Sequence, residues 1–113
     1  MKQASTWIRD CKRHHTRCND GGNTPRKLPT RLVRVQLASL AGIKGIPNVR
    51  LEITDKNSKV EYLAFNHCWG KVIPFKLLES NYDACLKNIE FSELSKNMQD
   101  AARITANLGF SYL

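Results

Sequence analysis

The stretch "FSELSKNMQDAARITANLG", residues 91–109, constrains the fold of this chain most strongly. Its apolar and small residues recur at the spacing of one helix face: Leu94, Met98, Ala101, Thr105 and Leu108. Ser92 or Ser95 can cap the start of a helix, and Gly109 can end it in a left-handed turn. The pattern therefore predicts an amphipathic helix, which must bury one side against another element.

Alternating residues predict strands upstream of this helix. Residues 31–37 (RLVRVQL) and 49–54 (VRLEIT) each show an apolar and a more polar face. Residues 60–65 (VEYLAF) become continuously apolar, as in a central strand. The short polar loop DKNSK then predicts an antiparallel hairpin of 49–54 with 60–65.

The two ends of the chain differ in character. Residues 5–18 (STWIRDCKRHHTRC) predict a helix, and the Gly- and Pro-containing residues 19–30 predict a loop. We therefore separate a basic helix and loop, 1–30, from a unit of strands and helices, 31–113, in which 82–89 is a further short helix. The final residues FSYL begin a strand but are too few to complete a typical one. The sequence thus predicts a fragment, or a chain whose partner strand lies elsewhere.

Charge is concentrated at the N-terminus. The net charge is +8, and residues 1–34 hold nine lysines and arginines against two aspartates. Such an arm can attract nucleic acid, although a solvated helix face is the simpler interpretation because nothing else indicates a nucleic-acid reader. There is no apolar run of membrane-spanning length and no secretory h-region. We expect a cytoplasmic protein with no membrane contact and four reduced cysteines.

Cys11, His15 and Cys18 have residue types that bind zinc, and helical spacing places them on one face. A structural zinc site has four ligands, and His67 or Cys68 can supply the fourth only if the helix docks on that segment. The alternative is that Trp7, Cys11 and Cys18 pack on the domain. We favour this packing role over a zinc site. We therefore expect no cofactor. His67 and Cys68 are neighbours that would face opposite ways in a strand, which argues against a catalytic pair.

Two segments resemble the fungal heterokaryon incompatibility (HET) domain. "YLAFNHCWG", residues 62–70, resembles its first block, roughly Tyr-x-Ala-Leu-Ser-Tyr/His-x-Trp-Gly. "QDAARITANLGFSYL", residues 99–113, is similar to its second block, roughly Asp-Ala-Ile, five residues, then Leu-Gly-x-x-Tyr-Leu. Upstream, residues 7–18 and 28–35 resemble the leader that often precedes the domain. The resemblance runs over residues 7–113, and we interpret 31–113 as the N-terminal part of a HET-like domain, truncated at its C-terminus.

The residues carried over from the family motif are Tyr62, Ala64, Asn66, Trp69, Gly70, Asp100, Ala101, Leu108, Gly109, Tyr112 and Leu113. Asn66 stands where the family usually has Ser, Phe65 where it has Leu, and Ser95 where a Pro usually precedes the helix. The strand and third block that follow in the family are missing after Leu113. Trp69 is expected to anchor the core rather than to stack on a ligand. Asp100 either bonds the turn after Gly70 or faces water.

The resemblance implies a module of fungal non-self recognition and programmed cell death, with protein partners in incompatibility signalling. The family is regarded as a distant relative of TIR domains, some of which cleave NAD. This implies an incomplete flavodoxin-like or TIR-like α/β core after the N-terminal helix and the hairpin, with the NHCWG turn where ligands bind. We expect this chain to be catalytically incomplete, and an NAD-like ligand would belong to complete relatives. The alternative is a small basic nucleic-acid-binding module that uses residues 1–34 and a Cys/His zinc site.

Overall fold

The computed structural model describes residues 2–19, 27–37, 46–55, 57–68, 70–71 and 75–113. Within them the elements are α1 (Lys2–His14), α2 (Thr16–Asn19), β1 (Arg31–Leu37), β2 (Pro47–Ile53), α3 (Tyr82–Lys87) and α4 (Lys96–Asn107). Short 3₁₀ turns, Glu79–Asn81 and Phe91–Glu93, precede α3 and α4. The predicted combination of helices and strands is confirmed. Most of the predicted loop 19–30 lies outside the described residues, as does Trp69.

The strands β1 and β2 form an antiparallel pair, with Val33 opposite Leu51 and Val35 opposite Val49. Side chains alternate between the two faces of a strand, so these four residues share one face. Val35, Val49 and Leu51 are buried there, and Val33 packs against them. The predicted apolar face is therefore confirmed for both strands, whereas the opposite face of β1 also holds a buried residue, Leu32.

Both edges of this strand pair are occupied by other segments. Val33 exchanges two backbone hydrogen bonds with Leu113, each 2.9 Å, and the Val35 N–H donates to the Ser111 carbonyl at 2.8 Å. On the opposite edge, the Ile89 N–H donates to the Val49 carbonyl at 2.7 Å. The C-terminal residues therefore lie in an extended segment beside β1, in agreement with the prediction that FSYL begins a strand.

The predicted hairpin of 49–54 with 60–65 is wrong. The partner of β2 is β1, and its other edge is taken by Ile89, so residues 60–65 have no strand edge left on β2. They run irregularly along the far side of the C-terminal segment, where the Leu63 N–H donates to the Tyr112 carbonyl at 3.0 Å. Tyr62 and Phe65 are consequently exposed instead of lying in a central strand.

Strand pairing is antiparallel at every point that the described residues show. This holds for β1 with β2 and for the bridges Arg34–Tyr112 and Val49–Ile89. The parallel sheet that the family resemblance implied is therefore not formed by these residues. The NHC residues, 66–68, also do not follow a strand, which removes the argument that placed them at a carboxyl edge.

The helix α4 packs on the apolar face of the sheet. Ala102 and Thr105 are its buried residues, and the Thr105 hydroxyl donates to the Ala101 carbonyl at 2.8 Å, which satisfies the buried group. The predicted stripe included Ala101 and Thr105; Thr105 is buried, but Ala102 and not Ala101 belongs to the hydrophobic core. The predicted cap and stop are confirmed, because Ser95 accepts from the Met98 N–H and Gly109 has a φ of 82°.

The core is completed by α3 and by Ile89, two residues beyond its end. Cys85 and Ile89 are buried against β2 together with Val49 and Leu51. Burial raises the pKa of the Cys85 thiol, so this cysteine stays neutral and packs as an apolar residue. In contrast, α1 contributes no buried residue.

Candidate functional site

A groove brings the two motif segments together. Its volume is about 320 Å³, and it lies between the irregular segment 63–67 and α4. The lining residues are Leu63, Ala64, Phe65, His67, Asn97, Asp100, Ala101, Ile104, Thr105 and Leu113. Residues from the first block form one wall, and residues from the second block form the other wall and one end. We call this surface the inter-block groove.

The inter-block groove is apolar along most of its length and has an aromatic wall. The rings of Phe65 and His67 are stacked, with centroids 4.9 Å apart and planes 13° apart. Phe65 and Ile104 each keep 41% of their surface exposed. An open apolar surface beside a stacked ring pair suits a planar group or an apolar side chain of a partner.

Asp100 places a carboxylate in the lining of this groove. Its Oδ1 lies 2.7 Å from Lys96 Nζ and 3.7 Å from Arg103 Nη1, and about half of the side chain is exposed. Both partners belong to its own helix, and most of the turn after Gly70, the other partner predicted for Asp100, lies outside the described residues. Exposed pairs of this kind contribute only about 0.3–0.5 kcal/mol. Asp100 is therefore available to a ligand in the groove at little cost.

The other motif residues play structural parts or stay at the surface. Tyr62 and Asn66 are exposed and do not line the groove. Gly109 has a φ of 82°, which confirms its predicted left-handed turn, and Gly70 has a similar φ of 65°. Tyr112 belongs to the bridge with Arg34. The prediction that Trp69 anchors the core falls on a residue outside the described part of the chain.

The outer face of the sheet carries a polar network that sequence reasoning missed. Glu52 is hydrogen bonded to the Tyr112 hydroxyl, and its Oε1 lies 2.8 Å from Arg50 Nη2 and 3.4 Å from Arg34 Nη1. The Tyr112 bond and then the two arginines lower the pKa of Glu52, against an opposing effect of burial. The same bond raises the pKa of Tyr112. Alternation placed Arg50 and Glu52 on a polar face, but only the register of β1 and the C-terminal segment brings all four together.

The helix α1 is attached to the rest of the chain by surface contacts. Lys12 Nζ lies 2.7 Å from both carboxylate oxygens of Glu61 and 5.5 Å from the centre of the Phe110 ring. A shallow cavity of about 400 Å³ separates this helix from residues 108–110. A surface ion pair is worth about 0–1 kcal/mol, so this docking is weak.

Cys11, His15 and Cys18 come together at the junction of α1 and α2. One ligand atom from each lies within 4.8 Å of the others, and Cys11 Sγ lies 2.9 Å from Cys18 Sγ. The contact with Cys18 is the main cause that raises the pKa of Cys11. The favoured alternative, packing on the domain, is wrong, because Trp7 is 62% exposed and Cys18 is also exposed. Neither His67 nor Cys68 belongs to this group within the described residues.

Comparison with protein-family models, with curated proteins and with solved structures finds no match for this chain. None of the helices in the described part has the length and apolar character needed to cross a bilayer.

Proposed function

We propose that this chain is the N-terminal part of a HET-like domain and acts as a module of fungal non-self recognition and cell-death signalling. The observation that supports the proposal is the inter-block groove. Residues 62–70 and 99–113 are far apart in sequence, and each was assigned to the family on its own motif. Ala64 and Asp100, one from each block, line the same groove.

The chemistry of the groove favours a contact surface for a protein partner over a catalytic centre. It offers apolar walls, the Phe65–His67 ring pair and one carboxylate that is ion-paired to Lys96. The carboxylate of Asp100 is half-exposed and is paired with two cations of its own helix. We therefore expect purified chain to leave NAD unconsumed, and measurable turnover would contradict this part of the proposal.

The relation to a flavodoxin-like or TIR-like core belongs to the same proposal. Its support is confined to the packing of α4 on a sheet, because the segment that follows Gly109 pairs with β1 in the antiparallel direction. Cytoplasmic location is likewise proposed, since the expected partners of incompatibility signalling act inside the cell.

Inducible expression in a filamentous fungus tests the proposal. We expect induced chain to reduce the number of viable colonies relative to empty vector, and Ala64→Trp to abolish the effect by filling the groove. Ala64 is exposed, so the indole can be accommodated without disturbing the core. Ala84→Trp, at an exposed position of α3, is the matched control and should behave as wild type. Wild-type chain that accumulates to the same level without loss of viability would refute the proposal.

The second candidate is nucleic-acid binding by the basic N-terminus, which is favoured by the exposure of Arg9, Arg13 and Arg17 on α1 and α2. Affinity for DNA or RNA should then fall steeply with salt and drop when all three are replaced by Gln. Deletion of residues 1–34 is unsuitable for this test because it removes part of β1. A flat salt response would exclude this function.

A further inference from the structure

We propose that Cys11, His15 and Cys18 bind one zinc ion, with its fourth position open to water or to a ligand from outside the chain. This inference is independent of the HET-like assignment. The three side chains lie close together at the surface, on and just after a helix that has no buried residue. Two thiolates and one imidazole form a donor set that zinc prefers, and three protein ligands with one exchangeable position are a common zinc arrangement.

The local backbone explains how the three donors converge. Cys11 and His15 are one helical turn apart, and the His15 N–H still donates to the Cys11 carbonyl at 3.1 Å. The helix then breaks at His15, and the Cys18 N–H donates to the His15 carbonyl at 3.1 Å. This tight turn brings the Cys18 sulfur back to within 2.9 Å of the Cys11 sulfur.

The distances require only a small adjustment for zinc. Tetrahedral coordination with Zn–S bonds of about 2.3 Å separates two sulfurs by roughly 3.8 Å, so the Cys11–Cys18 pair must open by about 1 Å. Cys18 and His15 are exposed, so rotation about their side-chain bonds can supply this movement without repacking a core. All three ligand atoms lie within 4.8 Å of one another, so one ion can contact all of them once the two sulfurs have separated.

Burial and charge favour a metal over a packing role. α1 has no buried residue, and Trp7 is exposed, so apolar contacts do not account for the corner between the helices. Two thiolates neutralise the charge of a zinc ion, so binding adds no net charge to a helix that already carries Lys12 and Arg13. Metal binding in small sites contributes directly to folding, and here it would fix the angle between α1 and α2.

Titration of the reduced, chelator-dialysed full chain with Zn²⁺ against a chromophoric competitor tests the proposal. We expect one equivalent to bind, with release of protons and weaker binding at lower pH because the thiols must ionise. Cd²⁺ should produce the ultraviolet absorption of thiolate-to-metal charge transfer. Loss of an outer-shell partner of a metal site typically weakens binding by about 10–100-fold. We expect a larger loss of Zn²⁺ affinity in each of three ligand variants: Cys11→Ser, His15→Ala and Cys18→Ser.

His14→Ala and Cys68→Ser are the matched controls. Both residues are exposed and lie outside the three-residue group, so these variants should bind Zn²⁺ as wild type does. Circular dichroism of each variant confirms that the fold is retained. Absence of stoichiometric binding by reduced wild type would overturn the proposal. Equal binding by the three ligand variants, or an equal loss in the two controls, would also overturn it.

Discussion

The hydrogen bond between Tyr112 and Glu52 joins the C-terminal segment to the outer face of the sheet, and Tyr112→Phe removes it while keeping the ring. A hydrogen bond to a charged group is worth about 1.5–3 kcal/mol. Glu52 keeps 26% of its side chain exposed and retains Arg50 at 2.8 Å after the substitution. Water and this arginine compensate in part, so we expect the free energy of unfolding at pH 7 to fall by about 1–2 kcal/mol.

The pH dependence of this loss follows from the two pKa shifts. The folded-state pKa of Glu52 lies below its ordinary value of 4.5, so the bond stabilises the fold above that pH and is lost as pH falls through the folded pKa. The folded-state pKa of Tyr112 lies above its ordinary value of 10.0, so the stabilisation is present below pH 10 and is lost as pH rises through the raised value. The difference between wild type and variant should therefore be largest near neutral pH.

Urea unfolding at several pH values measures this difference. Tyr62→Phe is the matched control: Tyr62 is 39% exposed, and the same hydroxyl removal there should change the free energy by less than about 0.5 kcal/mol. A double-mutant cycle with Glu52→Gln should show that the two losses are coupled. If Tyr112→Phe is no more destabilising than Tyr62→Phe, or if its effect is the same at pH 3 and pH 7, the reasoning about this network is wrong.

Three further substitutions test the elements that position the groove. Gly109→Ala should lower the free energy of unfolding in urea by about 1 kcal/mol, because the φ of 82° strains an L-residue even though a Cβ there meets no atom within 4 Å. An unchanged midpoint of the urea transition would contradict the left-handed turn. Ser95→Ala should lower stability by about 0.5–1 kcal/mol through loss of the α4 cap, whereas Ser92→Ala should not, and equal effects would argue against the cap. Val49→Ala should cost about 2 kcal/mol in the thermal or urea transition, well above Ile53→Ala at an exposed position of the same strand, and the reverse order would contradict the core.

Local patterns in the sequence were sufficient for the elements whose signals are complete within one segment. The helix α4, its cap at Ser95 and its stop at Gly109 follow from helical spacing and capping chemistry. The strand β1 was predicted with its observed bounds, and β2 within about two residues, because alternation is a local property. Helical spacing also accounts for the proximity of Cys11 and His15, whereas Cys18 joins them through the break between α1 and α2 and not along the one continuous helix predicted for 5–18.

Tertiary structure decided which strands pair and which residues share a site. Residues 60–65 are apolar enough for a strand, but β1, Ile89 and the C-terminal segment occupy the available edges first, and hydrogen-bonding edges are limited in number. Likewise, Glu52 and Tyr112 are far apart in sequence and meet only through the register of two antiparallel pairings. Competition for edges and register are properties of the assembled chain, and no single segment of the sequence contains them.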